Sequence, residues 1–404
     1  MNEGDGRSPA ALAWALAPGT LLAGFAGGIA FPILPIAAER VGLPLLFIGV
    51  ILAANRAMRV ASSPLVGLCV DRIGGRRTLL VGLGLQVVVL SLYAVGIATR
   101  QVGPLFLLGR LLHGPGSACV FISAQALALH AGGRAQGGRA AGIVRASIVL
   151  GVPVGLAVGG LLSDALGDVA AFGVAAGAVL LALVVGSLRI PDLRASLGVR
   201  VTLKEALRAM RDRRVFAVGA LNLVLNFAAA GMILTTLALL VHQRRLSLLG
   251  RNEQGTAGLL MGLMIVVDAA TTQLAGRLGD RWRAHARVAA SAMALLVGGL
   301  VVVGLSARVA GVAAGMAIIG VGTAGLGPSL LVLMGELVPR ERRGTGVGLL
   351  QFCGDLGGTA GPLVGTALLA RSTTVPYLAT AGLVACAVPL ALWLARLEAR
   401  AAGR

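Results

Sequence analysis

The charged stretch at residues 67–77 reads GLCVDRIGGRR and separates two long apolar runs. A weaker copy, GRLGDR, occupies residues 276–281 in the second half of the chain. Each copy places one acid, Asp71 or Asp280, among several arginines. This repetition predicts a duplicated membrane protein whose two halves each carry a charged connection at one membrane face.

Composition places the chain in a membrane. Hydrophobic residues make up 57% of its 404 positions and charged residues only 13%, and the mean hydropathy is +0.90. No water-soluble fold could cover so much apolar surface. The formal net charge is +19, but the basic residues are spread over many short connections. They therefore do not indicate a nucleic-acid partner.

Apolar runs long enough to cross a bilayer recur along the whole chain. About 20 residues are needed to span the hydrocarbon as a helix. Because backbone amides cannot stay unpaired in lipid and the runs show no period-two alternation, they predict helices rather than barrel strands. The twelve predicted spans lie near residues 11–37, 45–67, 77–98, 104–131, 142–164, 169–188, 215–241, 255–276, 288–307, 310–335, 345–370 and 374–395.

The sequence therefore predicts an all-α membrane protein built from two pseudo-symmetric six-helix bundles. The first bundle covers residues 1–190, the second covers residues 215–404, and a cytoplasmic linker at 191–214 joins them. Residues 201–210 of this polar linker have helical spacing. They form either an amphipathic helix on the inner leaflet or part of a solvated connection, and the second interpretation is favoured.

The distribution of basic residues predicts the orientation. With a cytoplasmic N-terminus, 24 of the 35 Lys and Arg residues fall in inner segments and seven in outer loops. This bias predicts that both termini are cytoplasmic. We expect a multi-pass protein of the bacterial cytoplasmic (inner) membrane that acts as a monomer.

Sequence features of enzymes, metal sites and ATP-driven pumps are missing. The four cysteines lie singly within or beside separate spans, where a free cysteine serves as a small packing residue. No nucleophile–His–acid arrangement or HExxH motif is present, and no GxxxxGK[ST] loop occurs. We therefore expect no enzymatic activity, no metal site and no cofactor.

Glycines at every fourth position mark helix packing in both halves of the chain. Such a stripe lets the backbone of a neighbouring helix approach closely. The matched stripes support the duplication, since parallel six-helix repeats build one large transporter architecture. The stripes are Gly151, Gly155, Gly159 and Gly160 in the fifth span, and Gly357, Gly361 and Gly365 in the eleventh.

These motifs resemble those of the major facilitator superfamily of transporters over essentially the whole chain. Residues 110–116 resemble its fourth-helix motif R-x-x-Q-G-x-G, with His113 in place of glutamine. Residues 151–160 resemble its fifth-helix motif G-x-x-x-G-P-x-x-G-G, with Leu156 in place of proline and Pro153 three residues earlier. The Gly-Pro pair occurs instead at Gly361 and Pro362. The second-loop signature G-x-x-x-D-R-x-G-x-R-R is matched by Gly67, Asp71, Arg72, Gly74, Arg76 and Arg77.

The resemblance implies two bundles that rock around a central site and expose it to each side of the membrane in turn. In the family, the acid and arginines of the second loop make inner-face contacts that hold the outward-open state. The matching residues are therefore implied to form a conformational gate, together with Asp280 and Arg281 of the second copy. Positive-inside charge alone would explain the arginines but neither Asp71 nor Asp280.

Charged residues inside the spans mark cavities or ion pairs, because each costs roughly 2.5–3.5 kcal/mol at mid-bilayer. Arg56 and Arg59 share one face of the second span with Ser63, and Asn55 precedes them. We expect Arg56 to face the cavity, whereas Arg59 could equally form an ion pair or reach the inner face. Arg110 matches the family position that binds substrate or tunes a proton-carrying carboxylate.

Two acids and two amides complete the candidate residues. Asp268 lies in the eighth span, and Asp355 lies roughly 15 Å along the eleventh. A carboxylate in a low-dielectric cavity could load and release protons, and each could equally be a fixed partner of an arginine. Asn222 and Asn226 are one helical turn apart in the seventh span. They could bind substrate or join two helices.

We therefore expect a secondary transporter that exports a small organic solute in exchange for protons. Uptake or export of an organic anion is the alternative, because three arginines lie within spans and aromatic residues make up only 3% of the chain. A membrane sensor that binds ligand without transport is a third, disfavoured interpretation. The implied partners are a small-molecule substrate, protons and the lipid bilayer, with no nucleic acid.

Overall fold

The structure is a computed structural model that describes residues 9–191, 210–282, 284–338 and 343–402. Within these ranges the chain is helical, with no strands. Apart from Met210, the linker segment 201–210, for which the sequence allowed a helix or a solvated connection, lies outside the described residues. The helices are α1 (Pro9–Gly28), α2 (Ala30–Arg40), α3 (Leu45–Ile73), α4 (Gly75–Ala98), α5 (Val102–Leu166), α6 (Asp168–Arg189), α7 (Arg213–Asn226), α8 (Leu234–Gln243), α9 (Glu253–Trp282), α10 (His285–Leu305), α11 (Val309–Leu337), α12 (Arg343–Leu369) and α13 (Val375–Ala402).

Length and composition qualify most of these helices as membrane spans. Eleven segments within the described ranges are long and apolar enough to cross a bilayer. They count α1 with α2 as one segment, α5 as two, and α7 with α8 as one. The 27-residue α12 is a further long helix. The predicted all-helical membrane fold is confirmed, and twelve spans are consistent with this count.

The chain packs as two compact units. Unit 1 comprises Met1–Val41 and Ala57–Gly198, and unit 2 comprises Gly42–Arg56 and Val199–Arg404. The first turns of α3 thus group with unit 2, although they lie within the predicted first bundle. Their packing explains this grouping, since a Cβ built on Gly49 would lie 2.8 Å from the carbonyl oxygen of Pro362 on α12.

The first span of unit 1 is broken in its middle. Pro32 has no backbone N–H, so it cannot bond the carbonyl of Gly28, and the helix is interrupted at Ile29 between α1 and α2. Ile29 still donates to Phe25 at 3.0 Å. The span runs to Arg40, three residues beyond its predicted end.

Two predicted spans are joined in the single 65-residue α5. His113 in its first half lies 3.6 Å from a Cβ built on Gly27, and the carbonyl of Val152 in its second half lies against the Cβ position of Gly28. On a straight helix these two α5 residues would be about 58 Å apart. Because both contact one turn of α1, α5 reverses direction between them. Its two apolar segments, Val102–Leu129 and Ala140–Leu166, correspond to the predicted fourth and fifth spans.

The glycine stripe of the fifth span faces α1. A Cβ built on Gly155 would lie 2.9 Å from the Cα of Phe25, and one on Gly159 would lie 2.8 Å from the Cα of Ile29. Gly151 approaches the Cα of Gly24 in the same way. Side chains at these positions would therefore force the two helix backbones apart. Pro153 lies on the same helix, half-buried.

Unit 2 repeats this packing between its first and fifth spans. The chain between α7 and α8 forms a π-helix at Phe227–Ile233. A Cβ built on Gly361 of α12 would lie 2.6 Å from the Cα of Gly231 in that π-helix. A Cβ on Gly357 would lie 2.9 Å from the backbone nitrogen of Phe227. Pro362 follows Gly361, and its carbonyl accepts a hydrogen bond from Thr366 at 2.8 Å.

Candidate functional site

A polar cluster lies within unit 1, where α4 packs antiparallel to the first half of α5. The ring of Tyr93 on α4 packs directly against the backbone of Gly109 on α5. A Cβ built on Gly109 would lie 3.1 Å from the ring carbon Cδ1 of Tyr93. Two turns away on α4, the Cγ of Gln86 lies 3.8 Å from the Cβ position of Gly116. The two glycines thus let two polar α4 side chains approach the α5 backbone on either side of Arg110 and His113.

Arg110 is the central residue of this cluster. Its side chain is fully buried, with 0% exposure. The Cζ atom lies 5.3 Å from the centroid of the Phe31 ring on α2, a cation–π contact. Within the part of the chain that the structure describes, Nε, Nη1 and Nη2 have no hydrogen-bond partner. A guanidinium is thus held in a buried site with all its polar donors available.

Four further side chains of unit 1 are buried and, like Arg110, have polar atoms without a hydrogen-bond partner among the described residues. Tyr93 is enclosed by Phe106 at 5.6 Å and Phe172 at 5.3 Å between ring centroids. Arg110 lies within electrostatic range of both Tyr93 and His113. Among the described residues, no hydrogen-bond partner is found for the Tyr93 hydroxyl, both amide atoms of Gln86, Nδ1 of His113 or the Ser123 hydroxyl.

This arrangement can bind an anion. Leaving a buried charge uncompensated costs about 3–5 kcal/mol, and native proteins leave few buried polar atoms unpaired. A bound carboxylate would accept paired hydrogen bonds from the guanidinium. Sequence analysis selected Arg110 and His113 but missed Gln86, Tyr93 and Phe31. The signal available was a polar pair seven residues apart in the apolar part of α4, residues 79–98, where Ser91 is the one other polar residue.

The second span, α3, carries several of the predicted site residues. Arg59 is half-buried, and its carbonyl accepts hydrogen bonds from Ser63 at 2.6 Å and Ser62 at 3.4 Å. It lies within electrostatic range of His113 in unit 1. Asn55 belongs to unit 2, where its Oδ1 is buried without a hydrogen-bond partner among the described residues. The predicted stripe of Arg56, Arg59 and Ser63 is thus divided between the two units.

Arg56 and Asp355 form an ion pair in unit 2. Nη1 of Arg56 lies 3.6 Å from Oδ1 of Asp355, and both side chains are largely buried. The arginine lies over Gly358, where a Cβ would be 2.7 Å from the Arg56 Cδ. Asp355 therefore has an arginine partner in this structure, and its role in proton coupling stays a prediction.

Asn222 and Asn226 contact α12 in unit 2. Nδ2 of Asn222 donates to the carbonyl of Leu350 at 2.6 Å, and Nδ2 of Asn226 donates to the carbonyl of Asn222 at 3.0 Å. Both amides lie against Gly354, whose Cβ position is 3.0 Å from Asn226 Nδ2. The contacts with Leu350 and Gly354 join the first and fifth spans of the unit, and a substrate role for the two amides stays a prediction.

Asp268 lies between α9 and α11. Its Oδ1 accepts a hydrogen bond of 2.6 Å from the hydroxyl of Thr323. Its carbonyl accepts a 2.7 Å bond from Thr272. No ion pair to Asp268 is found in the described ranges, so its carboxylate is held by a neutral donor. This distinguishes it from Asp355.

The signature loop at residues 67–77 forms the sharp turn between α3 and α4. Gly74 has φ 92° and ψ 153°, a conformation that only glycine adopts without strain. Thr78 Oγ1 donates to the Gly74 carbonyl at 2.9 Å. A guanidinium nitrogen of Arg76 donates to the carbonyl of Ser187 near the end of α6. The remaining charged residues of the loop, Asp71, Arg72 and Arg77, are exposed, and Gly67 is half-buried on α3.

The second copy of the loop has a different set of contacts. Nε2 of His285 lies 3.2 Å from Oδ1 of Asp280. The backbone nitrogens of His285 and Ala286 donate to the carboxylate of Glu398 on α13, at 2.8 and 3.0 Å. Glu398 therefore accepts hydrogen bonds from two backbone N–H groups in the first turn of α10, which have no partner within the helix. The sequence did not reveal this role. Arg281 is exposed.

Arg244 has a structural role. In the sequence it was only one of the seven basic residues of the predicted outer loops. It follows α8 and donates four hydrogen bonds, at 2.6–3.0 Å, to the end of α10 and to the connections that precede α11 and α13. Burial lowers its pKa from the ordinary arginine value, although an arginine remains charged at neutral pH. Its acceptors are Thr373, Ser306, Gly304 and Thr374.

The fold and its buried polar cluster define a multi-pass membrane transporter built from two helical units. The Major Facilitator Superfamily model matches residues 16–252 and 251–404, so the chain belongs to that family. The family identifies the chain as a transporter and not as an enzyme. No curated protein sequence matches it.

Solved structures with the same fold include several transporters. The human organic anion transporter MFSD10 is 20% identical with a TM-score of 0.66, covering 94% of this chain and 98% of that one. The nucleoside transporter NupG is 13% identical with a TM-score of 0.74, covering 94% of this chain and 98% of that one. A bacterial homolog of the human lysosomal transporter Spinster, inward-facing and occupied, is 13% identical with a TM-score of 0.78, covering 98% of each chain. At these identities, the likeness extends to the fold alone.

Proposed function

We propose that this chain is a secondary active transporter that moves a small organic anion across the cytoplasmic membrane by alternating access. The observation that carries the proposal is Arg110, which is fully buried and has three guanidinium nitrogens without hydrogen-bond partners in the described chain. A carboxylate or similar anion would compensate the buried charge. A neutral solute would leave it uncompensated.

The neighbours of Arg110 suit the same class of substrate. A guanidinium presents its donors in a planar fork that matches a carboxylate in a bidentate pair. Gln86, Tyr93 and His113 add uncharged polar groups that could bind hydroxyl or carbonyl groups of the remaining substrate. Aromatic residues make up only 3% of the chain, which favours a compact anion over a large planar one.

The structural neighbours are compatible with this proposal but do not select it. Their names describe an organic anion transporter and a nucleoside transporter on one fold. The choice of an anion rests on the buried Arg110 in this chain.

The membrane potential favours export as the direction of transport. An inside-negative potential drives a monovalent anion outward by about 2.3 kcal/mol per 100 mV. Exchange for protons would add the pH gradient to this drive, with Asp355 or Asp268 as the candidate proton carrier. The proposal places the chain in the bacterial inner membrane with both termini in the cytoplasm, and as a monomer.

Transport by the purified protein in proteoliposomes tests the proposal. The assay offers radiolabelled monocarboxylates, dicarboxylates, nucleosides and neutral amides, with and without imposed pH and electrical gradients. We expect saturable transport of at least one carboxylate, at a rate that rises when the potential favours anion exit. Transport of neutral solutes with no carboxylate among the substrates would overturn the anion assignment. Saturable carboxylate binding without any flux would favour the sensor interpretation instead.

A further inference from the structure

A groove in unit 1 combines one tryptophan with one arginine. It lies between the beginning of α1 and the end of α6, has a volume of about 580 Å³, and is lined by Ala11, Trp14, Ala15 and Arg189. Trp14 is 66% exposed, although it is the largest apolar side chain of its helix. Arg189 is exposed as the last residue of α6.

A second groove occupies the corresponding place in unit 2. It lies between the beginning of α7 and α13, which are the first and sixth spans of that unit, and has a volume of about 400 Å³. The aromatic and basic residues are present again but come from the opposite helices, since Trp393 is on α13 and Arg213 begins α7. The lining residues are Met210, Arg211, Arg213, Phe216, Leu390 and Trp393.

Both grooves lie at the end of their unit that carries the charged loop. In unit 1, Arg76 of the signature loop donates to the carbonyl of Ser187, two residues before Arg189. In unit 2, Glu398, five residues after Trp393, binds the backbone nitrogen of His285, and the side chain of His285 contacts Asp280 of the loop copy. The orientation predicted from the basic residues makes this end the cytoplasmic face, where anionic lipids give the membrane surface its negative potential.

We propose that each groove binds an anionic phospholipid of the inner leaflet, with its phosphate on the arginines and its glycerol and upper acyl chain against the tryptophan. Tryptophan prefers the boundary between headgroups and hydrocarbon, and basic recesses between spans at the cytoplasmic side bind anionic headgroups. The pairing of both chemistries, repeated in two separate units, is what distinguishes these grooves from scattered surface charge.

The carboxylates beside the second groove are already bound to backbone groups. Asp212 accepts a 2.7 Å hydrogen bond from the backbone nitrogen of Arg214. Both oxygens of Glu398 accept from the start of α10. Arg211 and Arg213 both line the groove, and Asp212 is the one acid between them, so this side of the groove keeps a positive charge that suits a phosphate.

Tryptophan fluorescence can measure lipid selectivity at each groove separately. The chain has three tryptophans, so Trp282→Phe with Trp393→Phe leaves Trp14 as the reporter, and Trp282→Phe with Trp14→Phe leaves Trp393. The protein is placed in equimolar phosphatidylglycerol and phosphatidylcholine vesicles in which one or the other lipid carries brominated chains. We expect brominated phosphatidylglycerol to quench each reporter more strongly than brominated phosphatidylcholine does. The difference should correspond to a selectivity for phosphatidylglycerol of about fivefold per arginine.

Matched variants separate groove binding from general surface charge. Arg189→Gln should abolish the selectivity at Trp14, Arg189→Lys should retain it, and Arg287→Ala, an exposed arginine beside the loop copy, should leave both grooves unchanged. Equal quenching by the two lipids would overturn the proposal, as would equal losses of selectivity in Arg189→Gln and Arg287→Ala. Full competition by dissolved glycerol phosphate would assign the site to a free phosphate compound and also overturn the lipid assignment.

Discussion

The Arg56 guanidinium on α3 lies 3.6 Å from the Asp355 carboxylate on α12, over the bare backbone of Gly358. This pair links Arg56, which the sequence predicted to face the cavity, to one of the two acids that were candidates for proton coupling. A carboxylate that faces a buried arginine can release the arginine when it binds a proton. If Asp355 carries the proton in the proposed transport cycle, its protonation would weaken this contact between α3 and α12.

The first prediction concerns the function of this pair. Asp355→Asn should abolish accumulation driven by a pH gradient while substrate counterflow persists, because asparagine cannot bind the transported proton. It should also lower the stability, by up to about 3 kcal/mol, because Arg56 loses one of its charged contacts. Gradient-driven uptake, counterflow and thermal melting of the purified protein measure these effects.

A double variant separates coupling from stability. Arg56→Gln combined with Asp355→Asn removes both charges and should recover most of the lost melting temperature without restoring accumulation. Parent-like accumulation by the double variant would exclude Asp355 as the coupling acid.

Asp268 gives a second prediction with a different structural consequence. Its partner is the neutral Thr323 hydroxyl at 2.6 Å, and an asparagine oxygen can accept the same bond. Asp268→Asn should therefore keep the melting temperature within a few degrees of the parent. If Asp268 carries the proton, accumulation is lost in this stable variant. Thr323→Val is the matched control, and loss of coupling there but not in Asp268→Asn would contradict the assignment.

The third prediction tests the proposed gate. Asp71 is exposed at the end of α3 beside the turn at Gly74, in a different part of unit 1 from the buried Arg110. Asp71→Asn should slow transport several-fold and leave substrate affinity within a few-fold, because only the exchange between states is affected. Binding and initial transport rates at matched expression provide the measurement. A transport rate equal to that of the parent would show that the charges of this loop determine only the orientation of the chain in the membrane.

The fourth prediction concerns the close helix contact of unit 2. A Cβ on Gly361 would lie 2.6 Å from the Cα of Gly231, so Gly361→Ala should lower stability by about 1–3 kcal/mol through overpacking. Gly382→Ala, whose Cβ meets no described atom within 4 Å, should be neutral or stabilising by up to about 1 kcal/mol. Thermal melting of both variants tests this contrast. Equal melting temperatures would mean that the helices can separate without cost.

The sequence predicted most of the fold, because membrane spans are specified by length and apolarity, and both are visible in one chain. It could not show that the first turns of α3 group with unit 2, since that depends on Gly49 and Arg56 meeting α12 in three dimensions. The site was predicted in part. Arg110 was recognisable from its motif, whereas Gln86 and Tyr93 become relevant only because the bare Gly116 and Gly109 admit them.

The role of Glu398 was hidden for a related reason. It lies more than a hundred residues from the backbone nitrogens that it binds, and a glutamate near the end of a helix carries no sequence signal for such a contact. The contacts of Asn222 and Asn226 were also not predictable from the sequence. Their spacing suggested a polar face, and only the contact with Leu350 and Gly354 reveals what that face touches.

The central claim is that Arg110 binds the transported anion, and ligand-dependent thermal melting of Arg110→Gln tests it most directly. Removing a buried unpaired charge should leave the substrate-free protein as stable as the parent or more so. The best carboxylate from the transport panel, at 100 times its Kd, should stabilise the parent by about 2.7 kcal/mol. We predict no such stabilisation in Arg110→Gln and a partial one in Arg110→Lys. An equal shift in the parent and Arg110→Gln would contradict the account.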